Sequence, residues 1–117
     1  MVEDTEDVRA VIVAQLKEFG YETLQAKDAD TALLMLRSKS KVDLLLSDVV
    51  MPGAVQGPEL VQLAMKEFPG LKAVLMSGYS KSAIEHGNGA AKAIPKLTKP
   101  VQMAELGTVV GKALLHS

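Results

Sequence analysis

A few side chains in this 117-residue sequence carry groups that could work on one substrate: the carboxylates of Glu3, Asp4 and Asp48, the hydroxyl of Ser77 and the ammonium of Lys99. Carboxylates brought close together raise each other's pKa unless a cation intervenes. A hard divalent ion such as Mg²⁺ suits them, because it is held by one or two carboxylates, a backbone carbonyl and water. Lys99 supplies a fixed positive charge that can pair with Asp48 or with a group attached to it, and Ser77 supplies a donor to the same group. A metal, an ammonium and a hydroxyl around one carboxylate make a site for phosphoryl transfer, where positioning and electrostatics dominate. The carboxylate itself can be the nucleophile. Taken singly, each residue has a plainer role. Asp48 can end a turn, Glu3-Asp4 can favour a helix N-terminus, Ser77 can sit in a turn, and Lys99-Pro100 can start a helix.

Their convergence depends on the elements that carry them. Asp48 follows Val42-Asp43-Leu44-Leu45-Leu46-Ser47, whose leucines run without alternation, as in a strand buried on both faces of a parallel sheet. Pro52-Gly53 then announces a turn. Before this strand, Thr5 is placed to cap a helix with Val8, Val11, Ile12, Leu16 and Phe19 at helical spacing, stopped by Gly20. Tyr21 to Ala26 reads as a short strand, and Asp28 or Asp30 can cap a second helix carrying Ala32, Leu33 and Leu36. After the turn, a third helix has Leu60, Leu63 and Ala64 on one face and ends at Pro69-Gly70. Leu71 to Met76 is a strand delivering Ser77. Ser80 to His86 reads as a weak helix stopped by Gly87-Asn88-Gly89, and Ala93 to Thr98 as a poor strand ending at Lys99. The last helix carries Met103, Leu106, Val109, Val110 and Leu114. Alternating strands and helices predict a single α/β domain over 1–117, a doubly wound parallel sheet with helices on both faces. Ligands of such sheets lie outside the carboxyl ends of the strands. The acid pair, Asp48, Ser77 and Lys99 would meet on that edge.

Composition narrows the function. A net charge of −1 and a pI near 6.1 give no basic footprint for nucleic acid. There is no cysteine for a disulfide or a thiolate zinc site, and the two histidines, His86 and His116, form no ligand pair. No apolar run reaches the roughly 20 residues of a membrane span and no signal peptide is visible, so a cytoplasmic domain without membrane contact is expected. Aromatics are only 3%, so aliphatic residues and Met fill the core.

The chain resembles the receiver domain of two-component response regulators and hybrid histidine kinases. The resemblance is carried by Val2-Glu3-Asp4, Leu46-Ser47-Asp48-Val49-Val50-Met51-Pro52, Ser77-Gly78-Tyr79 and Leu97-Thr98-Lys99-Pro100. The loop from Met51 to Leu60 is most similar to receivers of hybrid sensor kinases. The resemblance implies a flavodoxin-like, five-stranded sheet in the order 2-1-3-4-5. It implies that Asp48 is the phosphoacceptor and that Asp4 binds Mg²⁺ directly. Glu3 would be the partner acid, acting through water, and Val50 would lend a backbone carbonyl to the metal. Ser77 is then the switch hydroxyl and Lys99 the lysine that contacts the phosphoryl group. A histidine kinase or a phosphotransfer domain would be the phosphoryl donor, with a separate output partner, and the domain would not be a turnover enzyme. The segments Ser80–His86 and Ala93–Thr98 and the last helix would carry the signal outward.

Two departures from the family pattern have consequences. Only Met1 and Val2 stand before the acid pair where the family has several apolar residues, so a truncated first strand is expected. An open edge of this kind favours self-association or costs stability. Lys96 stands where many receivers have an aromatic, which argues against an aromatic-dependent switch. Two other functions fit part of the pattern. An aspartyl-phosphate hydrolase would want an acid two residues after the nucleophile, where Val50 stands. A phosphorylation-inactive scaffold with the same fold would follow if the short first strand failed to hold Glu3 and Asp4.

Overall fold

The apolar run forms a strand, β1 (Leu44–Asp48), at the centre of the computed structural model, which describes residues 1–38, 42–77 and 94–115. It pairs in parallel with β2 (Lys72–Ser77), and β2 pairs in parallel with β3 (Lys96–Thr98), giving the order β1-β2-β3. Among the described residues, four helices pack on this sheet: α1 (Glu6–Glu18), α2 (Ala29–Ser38), α3 (Gly57–Glu67) and α4 (Met103–Leu115).

The unbroken leucines have the expected cause: both faces of the sheet are covered. Leu45, Ala73 and Leu75 join a core cluster with Ala32, Leu36, Leu60, Val61 and Ala64 of α2 and α3. Leu46, Val74, Met76 and Leu97 point the other way, into a cluster with Ile12 and Leu16 of α1 and Leu106 and Val110 of α4. Alternating strand residues feed alternate layers, so Leu44–Leu46 and 73–76 are apolar without a break.

Among the described residues the sheet has three strands and two single bridges in place of five full strands. Val2 bridges Ala26 on one side and Ser47 on the other, both in parallel. The neighbours therefore run Ala26, Val2, β1, β2, β3, but Tyr21–Ala26 is not a strand: of it only Ala26 joins the sheet. The Val2 bridges are well made. The Val2 amide donates to the Leu46 carbonyl at 2.8 Å, Asp48 donates to the Val2 carbonyl at 3.0 Å, and Glu3 donates to the Ala26 carbonyl at 3.0 Å.

Local details refine other expectations. Thr5 stands at the N-cap of α1 but its side chain makes no capping bond. Asp28, rather than Asp30, caps α2, its Oδ1 accepting from the Thr31 amide at 2.8 Å. Hydrogen bonding from the Thr31 side chain, and then from its amide, holds the Asp28 carboxyl below its ordinary pKa. Gly20 ends α1 with φ +91°, a left-handed conformation natural to glycine. The buried faces are rotated from the simplest periodic reading: Val13 rather than Val11 is buried on α1, and Val61 rather than Leu63 on α3, with Val11 and Leu63 exposed. Met103 is also exposed, leaving Leu106 and Val110 as the buried contacts of α4. The expected helix Ser80–His86, its stop at Gly87-Asn88-Gly89, the residues Gly78, Tyr79 and Ala93, and His116 lie outside the described residues.

The Met1 ammonium is buried at the end of the Val2 bridge and donates to the Leu24 carbonyl at 3.0 Å. Burial lowers its pKa from 8.0 to about 6. The folded state then binds fewer protons than the unfolded chain between those values, so stability should rise with pH from 6 to 8. The gain is on the order of 2 kcal/mol. Urea denaturation across this range should show the slope, and N-terminal acetylation should remove it; an equal slope in the acetylated protein would refute the assignment.

Candidate functional site

Three carboxyl ends and the Val2 bridge deliver the side chains that the sequence singles out. Asp48 closes β1 and is 6% exposed, Ser77 closes β2 and is 2% exposed, and Lys99 directly follows β3. The sheet register explains why they meet: Asp48 lies opposite Met76, one residue before Ser77, and Ser77 lies opposite Thr98, one residue before Lys99. The Lys99 amide donates to the Ser77 carbonyl at 2.7 Å, continuing the ladder to the site. The Lys99–Pro100 peptide is cis.

Glu3 and Asp4 arrive with the Val2 bridge and face differently. Glu3 is fully buried and Asp4 is exposed. The three carboxylates of Glu3, Asp4 and Asp48 each offer an oxygen within 4.8 Å of the others. Lys99 Nζ lies between two of them, donating to Glu3 Oε1 and to Asp48 Oδ2, the latter at 3.0 Å. Burial pushes the Lys99 pKa down, but hydrogen bonds and charge from Glu3 and Asp48 outweigh it, so the net direction is up. Lys99 is therefore a permanent cation at neutral pH. One ammonium balances one of two buried carboxylates, and the remaining negative charge, with Asp4 at the rim, is what a divalent cation would neutralise.

The donor set fits Mg²⁺: carboxylate oxygens only, clustered at a solvent-facing rim, with no nitrogen or sulfur ligand. Val50 stands in the bend after β1 with its side chain exposed, two residues past Asp48.

Neighbours that sequence reasoning missed hold this site in shape. Arg9 on α1 donates from Nη1 to the Glu3 carbonyl at 2.8 Å, fixing the acid pair from below. Ser47 Oγ donates to the Asp48 carbonyl at 3.0 Å. Gln56 clamps the loop after Asp48, accepting from the Met51 amide at 2.9 Å and donating to the Met51 carbonyl at 2.8 Å and the Gly53 carbonyl at 3.1 Å. Gly57 starts α3 against the Asp48 backbone so closely that a Cβ there would stand 2.0 Å from the Asp48 carbonyl oxygen. Gly57 carried a signal, a glycine in the loop next to a chemical residue, that reads equally as an ordinary turn. Arg9 and Gln56 carried none, since surface helices and loops are rich in such residues. Lys96, at the position of the expected aromatic, donates to the Ile94 carbonyl at 2.9 Å.

Known proteins share both the pattern and the shape. Residues 1–111 match the family model of the response regulator receiver domain. The sensor kinase CckA of Brucella abortus is 34% identical over 115 residues, 97% of this chain but 12% of that protein. The response regulator receiver protein CpdR of the same organism is 29% identical over 98% of this chain and 94% of its own length. Among solved structures, the signal receiver domain of an HD domain-containing protein from Pseudomonas fluorescens superposes with a TM-score of 0.87 at 27% identity, covering 98% of this chain and 91% of its own. The receiver domain of the hybrid histidine kinase CckA superposes with a TM-score of 0.78 at 34% identity, covering 97% and 94%. With a buried aspartate at a strand end, a lysine bridging it to the N-terminal acid pair, and a family match over nearly its whole length, this chain belongs to the response regulator receiver domains of two-component signalling.

Proposed function

We propose that this domain accepts a phosphoryl group on Asp48 from the phosphohistidine of a histidine kinase or a phosphotransfer protein, in the cytoplasm where ATP charges such kinases. The observation that carries the reading is the Lys99 ammonium held between the buried Glu3 and Asp48 carboxylates beside the exposed Asp4. Lys99 engages Oδ2 of Asp48, so Oδ1 is the attacking oxygen. The phosphorus–nitrogen bond of the donor breaks as the Oδ1–phosphorus bond forms, and the donor imidazole takes a proton as it leaves.

Asp4, Asp48 and the Val50 carbonyl would hold Mg²⁺, with Glu3 acting through water. Mg²⁺ supplies charge neutralisation for the transferring phosphoryl oxygens. Lys99 then transfers its pairing from the carboxylate oxygen to a phosphoryl oxygen, and the Ser77 hydroxyl donates to another. The phosphoryl group adds about −1.5 to −2 charge at neutral pH beside Glu3, enough to redraw these pairings. The segments that follow Ser77 and flank Lys99 carry the change to an output partner.

Incubation with acetyl phosphate and Mg²⁺, followed by intact mass and peptide mapping, tests the reading. One phosphoryl adduct on the peptide containing Asp48 is expected, and absence of any Mg²⁺-dependent adduct would overturn it. The metal assignment has its own test. Asp4→Ala should weaken Mg²⁺ binding about ten-fold or more, while Glu3→Ala should cost less, because Glu3 is already tied to Lys99. Calorimetric titration of both variants decides it; equal losses would show that Glu3 is a direct ligand.

A further inference from the structure

Asp48 is followed by three peptide planes, each held by a different partner. The Val49 amide donates to the Met76 carbonyl at 2.8 Å, fixing the plane between Asp48 and Val49. The Val49 carbonyl accepts from the Gly57 amide at 2.9 Å, fixing the next. The plane between Val50 and Met51 has no backbone partner among the described residues. Its Met51 amide donates instead to Gln56 Oε1 at 2.9 Å. That peptide carries the Val50 carbonyl, and in a planar trans peptide the carbonyl and the following N–H point opposite ways. Holding the Met51 N–H therefore holds the direction of the Val50 carbonyl.

Gln56 commits its whole carboxamide to this loop. Oε1 takes the Met51 amide, and Nε2 donates to the Met51 carbonyl at 2.8 Å and the Gly53 carbonyl at 3.1 Å. The flipped amide would set its oxygen against two carbonyls and its nitrogen against an N–H, so the pattern admits one orientation. Gln56 also stands at the N-cap of α3 with extended backbone, yet its side chain makes no capping bond there. Serine, threonine, asparagine or aspartate is the usual choice at such a position. The following Gly57-Pro58-Glu59 leaves the Glu59 amide as the target of a cap, because Pro58 has no N–H. Gln56 forgoes that bond and reaches back to the loop. Met51 is buried in the α2–α3 cluster, so the clamp is anchored to the core, while Val50 and Pro52 on either side of it are exposed.

We propose that Gln56 is a positioning residue for the cation site: it holds the Val50 carbonyl in one direction and thereby makes the site favour Mg²⁺ over Ca²⁺. The inference rests on the reading above, in which that carbonyl is a ligand beside Asp4 and Asp48. The two ions ask different things of a ligand. Mg²⁺ demands near-ideal octahedral geometry at about 2.0–2.1 Å, whereas Ca²⁺ accepts about six to eight oxygens at about 2.3–2.6 Å in flexible arrangements. A carboxylate can turn about its side-chain bonds to suit either ion. A backbone carbonyl turns only with its peptide, and here the peptide is tied by one side chain. Releasing the Met51 amide lets the plane rotate. The ion with strict geometry then loses more than the ion that tolerates spread.

The test compares Gln56→Met and Gln56→Ser with the parent and with Asp4→Ala, by calorimetric titration with Mg²⁺ and with Ca²⁺. Methionine keeps the length of the side chain without its hydrogen bonds. Serine cannot reach Met51 but completes a capping box with Glu59, so α3 keeps its stability. Both variants should bind Mg²⁺ about ten-fold more weakly and Ca²⁺ only about two-fold more weakly. Labelling by acetyl phosphate should need about ten-fold more Mg²⁺ for half its maximal rate, yet reach the parental rate at saturation. Urea denaturation should show Gln56→Ser more stable than Gln56→Met although both lose Mg²⁺ alike. Unchanged Mg²⁺ affinity, equal losses for the two ions, a lowered rate at saturating Mg²⁺, or affinity that simply follows urea stability would each overturn the inference, even while Asp4→Ala weakens binding. A parent that binds no Mg²⁺, or an Asp4→Ala variant that binds it undiminished, would instead overturn the metal reading and this inference with it.

Discussion

Asp48→Asn is expected to abolish Mg²⁺-dependent labelling by acetyl phosphate while leaving the fold intact. The amide is nearly isosteric with the carboxylate, so the buried position is refilled without a cavity. It is a far weaker nucleophile, and it removes the negative charge that helps to hold both Lys99 and a metal. The variant should keep its Glu3–Lys99 pair and unfold within about 1 kcal/mol of the parent. Intact mass with urea denaturation checks both halves. Labelling that persists at the parental rate would move the phosphoacceptor elsewhere, and Asp4, exposed at the same rim, would be the next residue to map.

Gly57→Ala should be among the most damaging single methyl groups in the chain. Its Cβ would stand 2.0 Å from the Asp48 carbonyl oxygen and 2.9 Å from both the Asp48 carbonyl carbon and the Val49 Cα. All three are backbone atoms, so no side chain can turn aside to relieve the contact. The Gly57 amide also donates to the Val49 carbonyl at 2.9 Å, and the first turn of α3 would have to lift away and stretch that bond. A loss of about 2–4 kcal/mol is expected from overpacking of this kind. Because the displaced atoms belong to Asp48 and its successor, labelling by acetyl phosphate should slow as well. Gly111→Ala in α4 is the control: nothing lies within 4 Å of its added Cβ, so helix propensity alone should stabilise it by about 0.5–1 kcal/mol. Urea denaturation of the pair separates the two effects. A Gly57→Ala protein as stable as the parent would mean that α3 starts further from Asp48.

The sequence by itself determined the layers and which side chains meet at one edge of the sheet. Leu44, Leu45 and Leu46 read as a doubly buried strand because the apolar run is unbroken, too short for a helix, and bounded by a carboxylate and a Pro-Gly turn. Gly20 and Pro69-Gly70 stopped their helices where expected, since their backbone constraints are local. The convergence of Asp48 and Lys99 was legible because carboxyl ends of parallel strands share one edge whatever the loops do. Tertiary structure decided the rest. Tyr21–Ala26 has strand composition, but a strand exists only where a neighbour takes its hydrogen bonds in a continuous ladder, and among the described residues its pairing is the single bridge of Ala26 with Val2, flanked by bonds from Met1 and Glu3. Leu63 and Val61 are equally apolar and one helical step apart in orientation; the angle at which α3 meets the sheet buries one and exposes the other. Glu3 and Asp4 are adjacent acids with no difference in local signal. Opposite faces of one extended stretch send Glu3 inward to Lys99 and leave Asp4 at the rim, because successive side chains on a strand must point apart.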